Sequence, residues 1–386
     1  MNSVVCAAAL LLPLCSMAAF AAKDEKPVPP QGLGNTFAKL AVGKPVTVGY
    51  FGGSITEGAG ASKPDETSWR GRTTAWLRAQ YPKAPITEVN AAIGGTGSDL
   101  GAFRCERDLL SRRPDLVFVE FAVNDSGAAP ERATRTMEGI VRQIRHADAR
   151  TDIAFVYTTT HSLVDPYERG ETPPMIVIEQ KVAAHYGIPE VNVGKALWQT
   201  IHDQKGTWET LTVDSVHPND AGYAIYTDGV TGFLDSHRKD KPGGRRSLPK
   251  PMAANAFEKA RMVDAWEIPG TGWTKDPASL AGRYPHFIAA SAAGTELKYA
   301  FTGTTIGLYW MMAPDSGDIE WSVDGSAPQR VSSWDRFARD YARANSVILS
   351  DSLKPGNHVL TVRVLSGKNA ESKGTVVRIG ALMVSE

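Results

Sequence analysis

The chain has 386 residues, of which 42% are hydrophobic and 22% charged. These are ordinary globular values, and they exclude wholesale disorder, a collagen-like repeat and a coiled-coil rod. Lys plus Arg number 42 and Asp plus Glu also number 42, so no net field exists to draw in DNA, RNA or an anionic membrane surface, and no nucleic-acid partner is expected.

At the start of the chain, Ala8-Ala9-Leu10-Leu11-Leu12 and the small-x-small pattern Ala19-Phe20-Ala21 make residues 1–22 read as a secretory signal peptide, although no Lys or Arg precedes Lys23. A secreted or periplasmic protein is the expectation. Leu12-Pro13-Leu14-Cys15 resembles a lipoprotein box, but the bulky Leu14 fits it poorly, so a lipid anchor is not expected. Cys6 and Cys15 would leave with the signal, and Cys105 alone cannot form an internal disulfide. No transmembrane segment is expected after the signal.

From residue 36 to 238, short apolar runs alternate with helix-period segments, the habit of a parallel sheet covered on both faces. Strands are predicted over 46–51, 86–92, 116–123, 153–158 and 189–193, with helical patterns such as 98–110 and 131–146 between them. The expected fold is a doubly wound, mostly parallel five-stranded α/β sheet, in which ligands gather beyond the carboxyl ends of the strands. Residues 239–253, rich in charge, Gly and Pro, have the composition of an exposed linker. Residues 254–386 switch to short alternating strands over 296–301, 305–310, 319–323 and 358–364, with turns at Asp324-Gly325 and Pro355-Gly356, and are expected to form an all-β sandwich of jelly-roll type.

Several residues at the predicted strand ends can carry chemistry. The first strand runs into Gly52-Gly53-Ser54-Ile55-Thr56, presenting a hydroxyl on a turn where a substrate can approach the main chain; such turns also bind phosphates or merely reverse the chain. The second runs into a loop containing Gly94-Gly95, and the third into Asn124, a neutral donor at the same sheet edge or else a turn-shaping residue. Downstream, Asp214-Ser215-Val216-His217-Pro218 sets a carboxylate three residues before an imidazole, close enough to fix its tautomer. No Cys pair, His-x-x-x-His spacing or EF-hand loop points to a metal, and no cofactor is expected.

In order, these blocks resemble those of the SGNH hydrolases, or GDSL esterases and lipases, over roughly residues 46–238. The resemblance implies a flavodoxin-like α/β fold, Ser54 as nucleophile, His217 as general base and acid, and Asp214 as the residue orienting it. It implies an oxyanion hole from the backbone N–H of Ser54, the backbone N–H of Gly95 and the Asn124 amide, with Gly94 the alternative to Gly95. Two departures stand out: Gly53 takes the place of the usual Asp before the nucleophile, and Ala122 that of the usual Gly before the Asn. Glu120, a charge inside the apolar run 116–123, is expected either to support the nucleophile turn or to pair with an Arg such as Arg104.

An exported esterase with an accessory sandwich is similar to secreted carbohydrate O-acetylesterases, which makes an acetylated polysaccharide or oligosaccharide the expected substrate. The alternatives are a lysophospholipase, thioesterase or small acyl-ester hydrolase with the same triad, and a catalytically inactive glycan-binding protein. His161, Ser162, Trp69, Arg104 and Asp99 are further candidates to line the site. Trp310, Trp321 and Trp334 are read as sugar-stacking rings or sandwich core, with core favoured. Oligomeric state is not legible.

Overall fold

The computed structural model describes residues 28–268, 270–278, 280 and 284–386; the expected signal peptide lies outside them. Among the described residues no helix is long and apolar enough to cross a membrane. The N-terminal part is built on five parallel strands: β1 (Val46–Gly52), β2 (Ile86–Asn90), β3 (Leu116–Glu120), β4 (Asp152–Tyr157) and β5 (Glu190–Asn192). Their order is β2-β1-β3-β4-β5. The direction of winding reverses between β1 and β3, where the carboxyl ends of neighbouring strands open a crevice. All of β3 and β4 and nearly all of β1 are buried, because helices cover both faces.

The predicted strands 86–92 and 116–123 end early, at Asn90 and Glu120. The Asn90 side chain accepts from the Ala92 N–H, turning the chain, and the buried Arg104 guanidinium takes the carbonyls of Ala91 and Gly52. These bonds tie the ends of β1 and β2 together and release the loops that follow.

One side chain runs against the local logic of burial. The helix Pro174–Tyr186 buries Met175, Ile176, Val182, Ala183 and Tyr186 in an apolar stripe, and Glu179 lies in the middle of it, fully buried. Neither of its carboxyl oxygens has a hydrogen-bond partner among the described residues. Burial, reinforced by Asp125 and Glu120, pushes this acid well above the ordinary carboxyl range. Its folded form is therefore favoured at acid pH, and stability declines as pH rises from the unfolded carboxyl value toward the folded one. Glu179→Met should raise stability by about 1–3 kcal/mol near neutral pH, the cost of a buried unsatisfied polar group, and flatten that decline. Urea melts of both proteins between pH 4 and 8 check it.

Among the described residues the C-terminal part contains ten strands: β6 (Ala260–Asp264), β7 (Thr274–Asp276), β8 (Phe287–Ala290), β9 (Glu296–Gly303), β10 (Thr305–Met312), β11 (Asp318–Val323), β12 (Gln329–Ser332), β13 (Arg343–Ser350), β14 (Gly356–Val364) and β15 (Val377–Ser385). They form two antiparallel sheets. One runs β13-β10-β15-β8-β7, with β6 also on β15, and the other β12-β11-β14-β9. Between them lies a core that includes Leu297, Phe301, Leu308, Trp310, Trp321, Trp334 and Leu382. The three tryptophans read as stacking rings or core are thus core.

β9 alternates buried and exposed residues, as a strand with one wet face should, but β10 is buried along its whole length. Its second face, with Tyr309 and Met311, and that of β15, with Ala381 and Met383, belong to the core of the α/β part. Phe103 of the helix Ser98–Asp108 meets Phe257 with ring centroids 5.4 Å apart, and Arg107 lies 4.9 Å over the Tyr284 ring. Arg132 and Arg135 of the helix Pro130–Ala147 share the Asp351 carboxylate. The segment 239–253 is mostly exposed, but Arg246 is buried against Asp152 at 2.6 Å, and the N–H groups of Met252 and Ala253 donate to Glu138.

Candidate active site

Ser54 follows directly on β1, as the first residue of the short helix Ser54–Glu57. At the start of a helix the N–H groups have no intrahelical acceptor, so the turn that exposes the hydroxyl also presents main-chain donors. Gly53, before it, has an extended backbone, and a Cβ there would lie 1.9 Å from Asn124 Oδ1. This gives the departure from the family pattern a physical reason. The space a side chain at 53 would occupy is filled by the Asn124 amide.

The imidazole arrives from the other end of the domain. Residues 212–218 form a tight loop closed by an antiparallel bridge between Thr212 and Pro218, with Ser215 in a left-handed conformation at φ 63°. Thr212 Oγ1 accepts from the Ser215 N–H, and the Ser215 carbonyl accepts from the His161 N–H. Within the loop, Asp214 Oδ1 accepts from the N–H groups of His217 and Val216, at 2.8 and 3.1 Å, and Asp214 Oδ2 lies 2.7 Å from His217 Nδ1. His217 Nε2 lies 2.8 Å from Ser54 Oγ. With a carboxylate on Nδ1, the ring proton belongs there, leaving Nε2 to accept from the serine hydroxyl. Burial alone would raise the Asp214 carboxyl, but the His217 N–H and imidazole and the Val216 N–H outweigh it and hold it below the usual carboxylate range.

The helix Asp220–His237, which starts just after the imidazole, grips the nucleophile segment. The Tyr223 hydroxyl donates to the carbonyls of Ile55 and Ala59, at 3.0 and 2.7 Å. Asp220 accepts from the Ser62 N–H and hydroxyl and from the Thr67 hydroxyl, and these donors bring its carboxyl down to about 2. Ser54 and His217 are 163 positions apart, and this clamp sets their distance.

The Gly94 N–H donates to Glu57 Oε2 at 2.9 Å, whereas Gly95 is left-handed at φ 72° with nothing within 4 Å of where a Cβ would point. Of the two glycines, Gly94 is therefore the one whose N–H is already engaged. Gly95 and Asn124 both line a cavity of about 210 Å³, together with Asp99, Arg132 and, from β13, Asn345 and Ser346. Asp125 next door caps the helix Ser98–Asp108 by accepting from the Ser98 N–H, and burial pushes its carboxyl up to about 7.

The fold therefore brings Ser54, His217, Asp214, Gly95 and Asn124 to one sheet edge. Of the other candidates, Asp99 lines the cavity beside them and Trp69 is core, packed on Tyr50 and Phe118. His161 holds the His217 loop through its backbone, and its ring lies against Trp208. Ser162 lines a separate, mainly apolar cavity with Ala122 and Thr158. Arg104 is occupied with strand-end carbonyls and Asp108, and Glu120 instead accepts from the Thr56 and Thr158 hydroxyls, each at 2.7 Å. Thr56, Thr158, Glu57, Asp220 and Tyr223 were not legible as site residues. Only the polarity of Thr56 and Thr158 at the ends of apolar runs hinted at them.

A seryl hydroxyl, an imidazole and a carboxylate in one hydrogen-bonded line at the switch point of a doubly wound sheet define the class: this is the arrangement of the serine hydrolases. Residues 50–225 match the GDSL-like lipase/acylhydrolase family. No curated relative matches the chain. Among solved structures, a two-domain esterase active on acetylated mannans, co-crystallised with mannopentaose, is similar over 90% of this chain and 93% of its own, at 24% identity and a TM-score of 0.78. A second crystal structure of a two-domain esterase active on acetylated mannans gives 0.79 at the same identity and coverage. An acetylxylan esterase from Geobacillus stearothermophilus covers 48% of this chain and 93% of its own, at 21% identity and a TM-score of 0.39. The first two share the whole two-part fold.

Proposed function

We propose that this protein is an exported serine esterase that removes O-acetyl groups from a polysaccharide or oligosaccharide through an acyl-enzyme. The observation that carries the reading is the hydrogen-bonded line Ser54–His217–Asp214, set beside a cavity lined by polar groups of both parts of the chain. In this reading His217 takes the Ser54 proton as the hydroxyl attacks the ester carbonyl, and returns it to the departing sugar alcohol. Water, activated by the same imidazole, then releases acetate. The oxyanion is held by the N–H groups of Ser54 and Gly95 and by the Asn124 amide.

A hydroxyl-rich ligand suits a cavity with Asp99, Arg132, Asn345 and Ser346 in its wall, and the activity named for the mannan esterases of the same fold supports an acetylated glycan. On the same footing, residues 36–238 are the catalytic domain and 254–386 an accessory domain that completes the cleft.

The test is acetate release from acetylated glucomannan and acetylated xylan, with aryl esters of increasing acyl length alongside. We expect release from at least one glycan, a preference for aryl acetate over aryl octanoate, and loss of both activities in Ser54→Ala. A preference for long acyl chains would transfer the protein to the lipase or thioesterase reading. A folded protein that binds glycan but turns over no ester would make it a binding protein.

A further inference from the structure

We infer that Glu120 is the positioning residue of the nucleophile, holding the Ser54 turn from both sides through hydrogen bonds to Gly53 and Thr56. Glu120 is the last residue of β3 and pairs with Gly52, the last of β1, so its side chain rises beside the point where the chain turns into Ser54. It is 1% exposed. Three donors converge on its carboxyl group: the Gly53 N–H immediately before the nucleophile, the Thr56 hydroxyl two residues after it, and the Thr158 hydroxyl just beyond the end of β4. One side chain thus links the ends of β1, β3 and β4 to both flanks of the serine.

Burial pushes the Glu120 carboxyl above its ordinary value despite these three donors. Structural ballast alone does not require such an arrangement. An apolar residue would fill a strand end between two buried strands without the desolvation cost of a carboxyl group. What the carboxyl supplies is direction. The residue before Ser54 is a glycine, which restrains its own backbone weakly, and the turn must hold the Ser54 hydroxyl at 2.8 Å from His217 Nε2 while its N–H faces the oxyanion. The bonds from Gly53 and Thr56 fix both the approach to and the exit from that residue.

The inference rests on Ser54 being the nucleophile, and the experiment separates the two. Glu120→Ala, Glu120→Gln, Thr56→Val and Ser54→Ala are compared on an aryl acetate, with kcat per folded molecule, KM, the rate of covalent labelling by a fluorophosphonate, and thermal melting. Glu120→Ala should lower kcat and the labelling rate by 100-fold or more with KM changed less than threefold. Glu120→Gln, which still accepts from Gly53, should recover at least tenfold of that loss, and Thr56→Val should lose roughly five- to thirtyfold. A folded Glu120→Ala with kcat within threefold of the parent, or a Gln variant no better than Ala, overturns the inference. If Glu120→Ala does not fold, an unchanged kcat in Thr56→Val overturns it instead. Activity retained by Ser54→Ala would sink the nucleophile assignment itself.

Discussion

Asp214→Asn should lower kcat by about three to four orders of magnitude while leaving the fold intact, a loss larger than the change of one atom suggests. The reason is in the loop. Asp214 Oδ1 accepts two backbone N–H bonds, from Val216 and His217, and only Oδ2 faces the imidazole. An asparagine must keep its carbonyl oxygen toward those two donors, so its NH₂ group turns to Nδ1. The ring then carries its proton on Nε2, facing Ser54, and has no lone pair there to receive the serine proton. Asp214→Ala leaves the tautomer unconstrained and should be less damaged. Steady-state kinetics on an aryl acetate test this, and an Asn variant as active as the Ala variant would refute the tautomer argument.

The same carboxylate has a signed effect on stability. Because its pKa is lowered on folding, the stability it contributes is present above the ordinary carboxyl range and is lost as pH falls through the lower folded value. Melting curves of the parent and Asp214→Asn should therefore converge as the pH is taken down toward 3.

The second large effect concerns Asn124. Removing a neutral oxyanion donor typically costs about 10²–10³ in kcat, or roughly 3–4 kcal/mol, and Asn124→Ala should show that loss with little change in melting temperature, since the side chain is only half-buried. Gly53→Ala should do nearly the same without touching a donor, because its Cβ would fall 1.9 Å from Asn124 Oδ1 and drive the amide away. If the two substitutions act through one group, they cannot add. Gly53→Ala combined with Asn124→Ala should be no slower than Asn124→Ala alone, since the shortened side chain restores the room. Fully additive losses would mean that Gly53 matters for the turn itself.

Much of this molecule follows from the one-dimensional pattern. Fully buried parallel strands leave continuous apolar runs, as in Leu116–Glu120 and Asp152–Tyr157; the Gly-Gly-Ser and Asn blocks follow the ends of β1 and β3, whereas Asp-x-x-His lies in a loop between two helices. The triad residues are legible because two of the four blocks hold all three of them, with Asp214 and His217 within a single loop. The strands of the C-terminal part were only partly legible. The pattern predicts β9, β10, β11 and β14 as alternating strands and none of β6, β7, β8, β12, β13 and β15, and β10 is buried throughout instead of alternating. β7 and β12 are three and four residues long, too short to set a period, and β15 is apolar nearly throughout because the α/β helices cover its second face.

What tertiary structure alone decided is which side chain fills which space. The sequence shows a charge at Glu120 and a missing acid at Gly53, but not that the first accepts from the Gly53 N–H while Asn124 occupies the space beside the second. It also does not show that Asn345 and Ser346 border the cavity beside Asn124. Periodicity records how much of a residue is buried. The partner it meets across more than a hundred positions is fixed by how the chain packs in three dimensions.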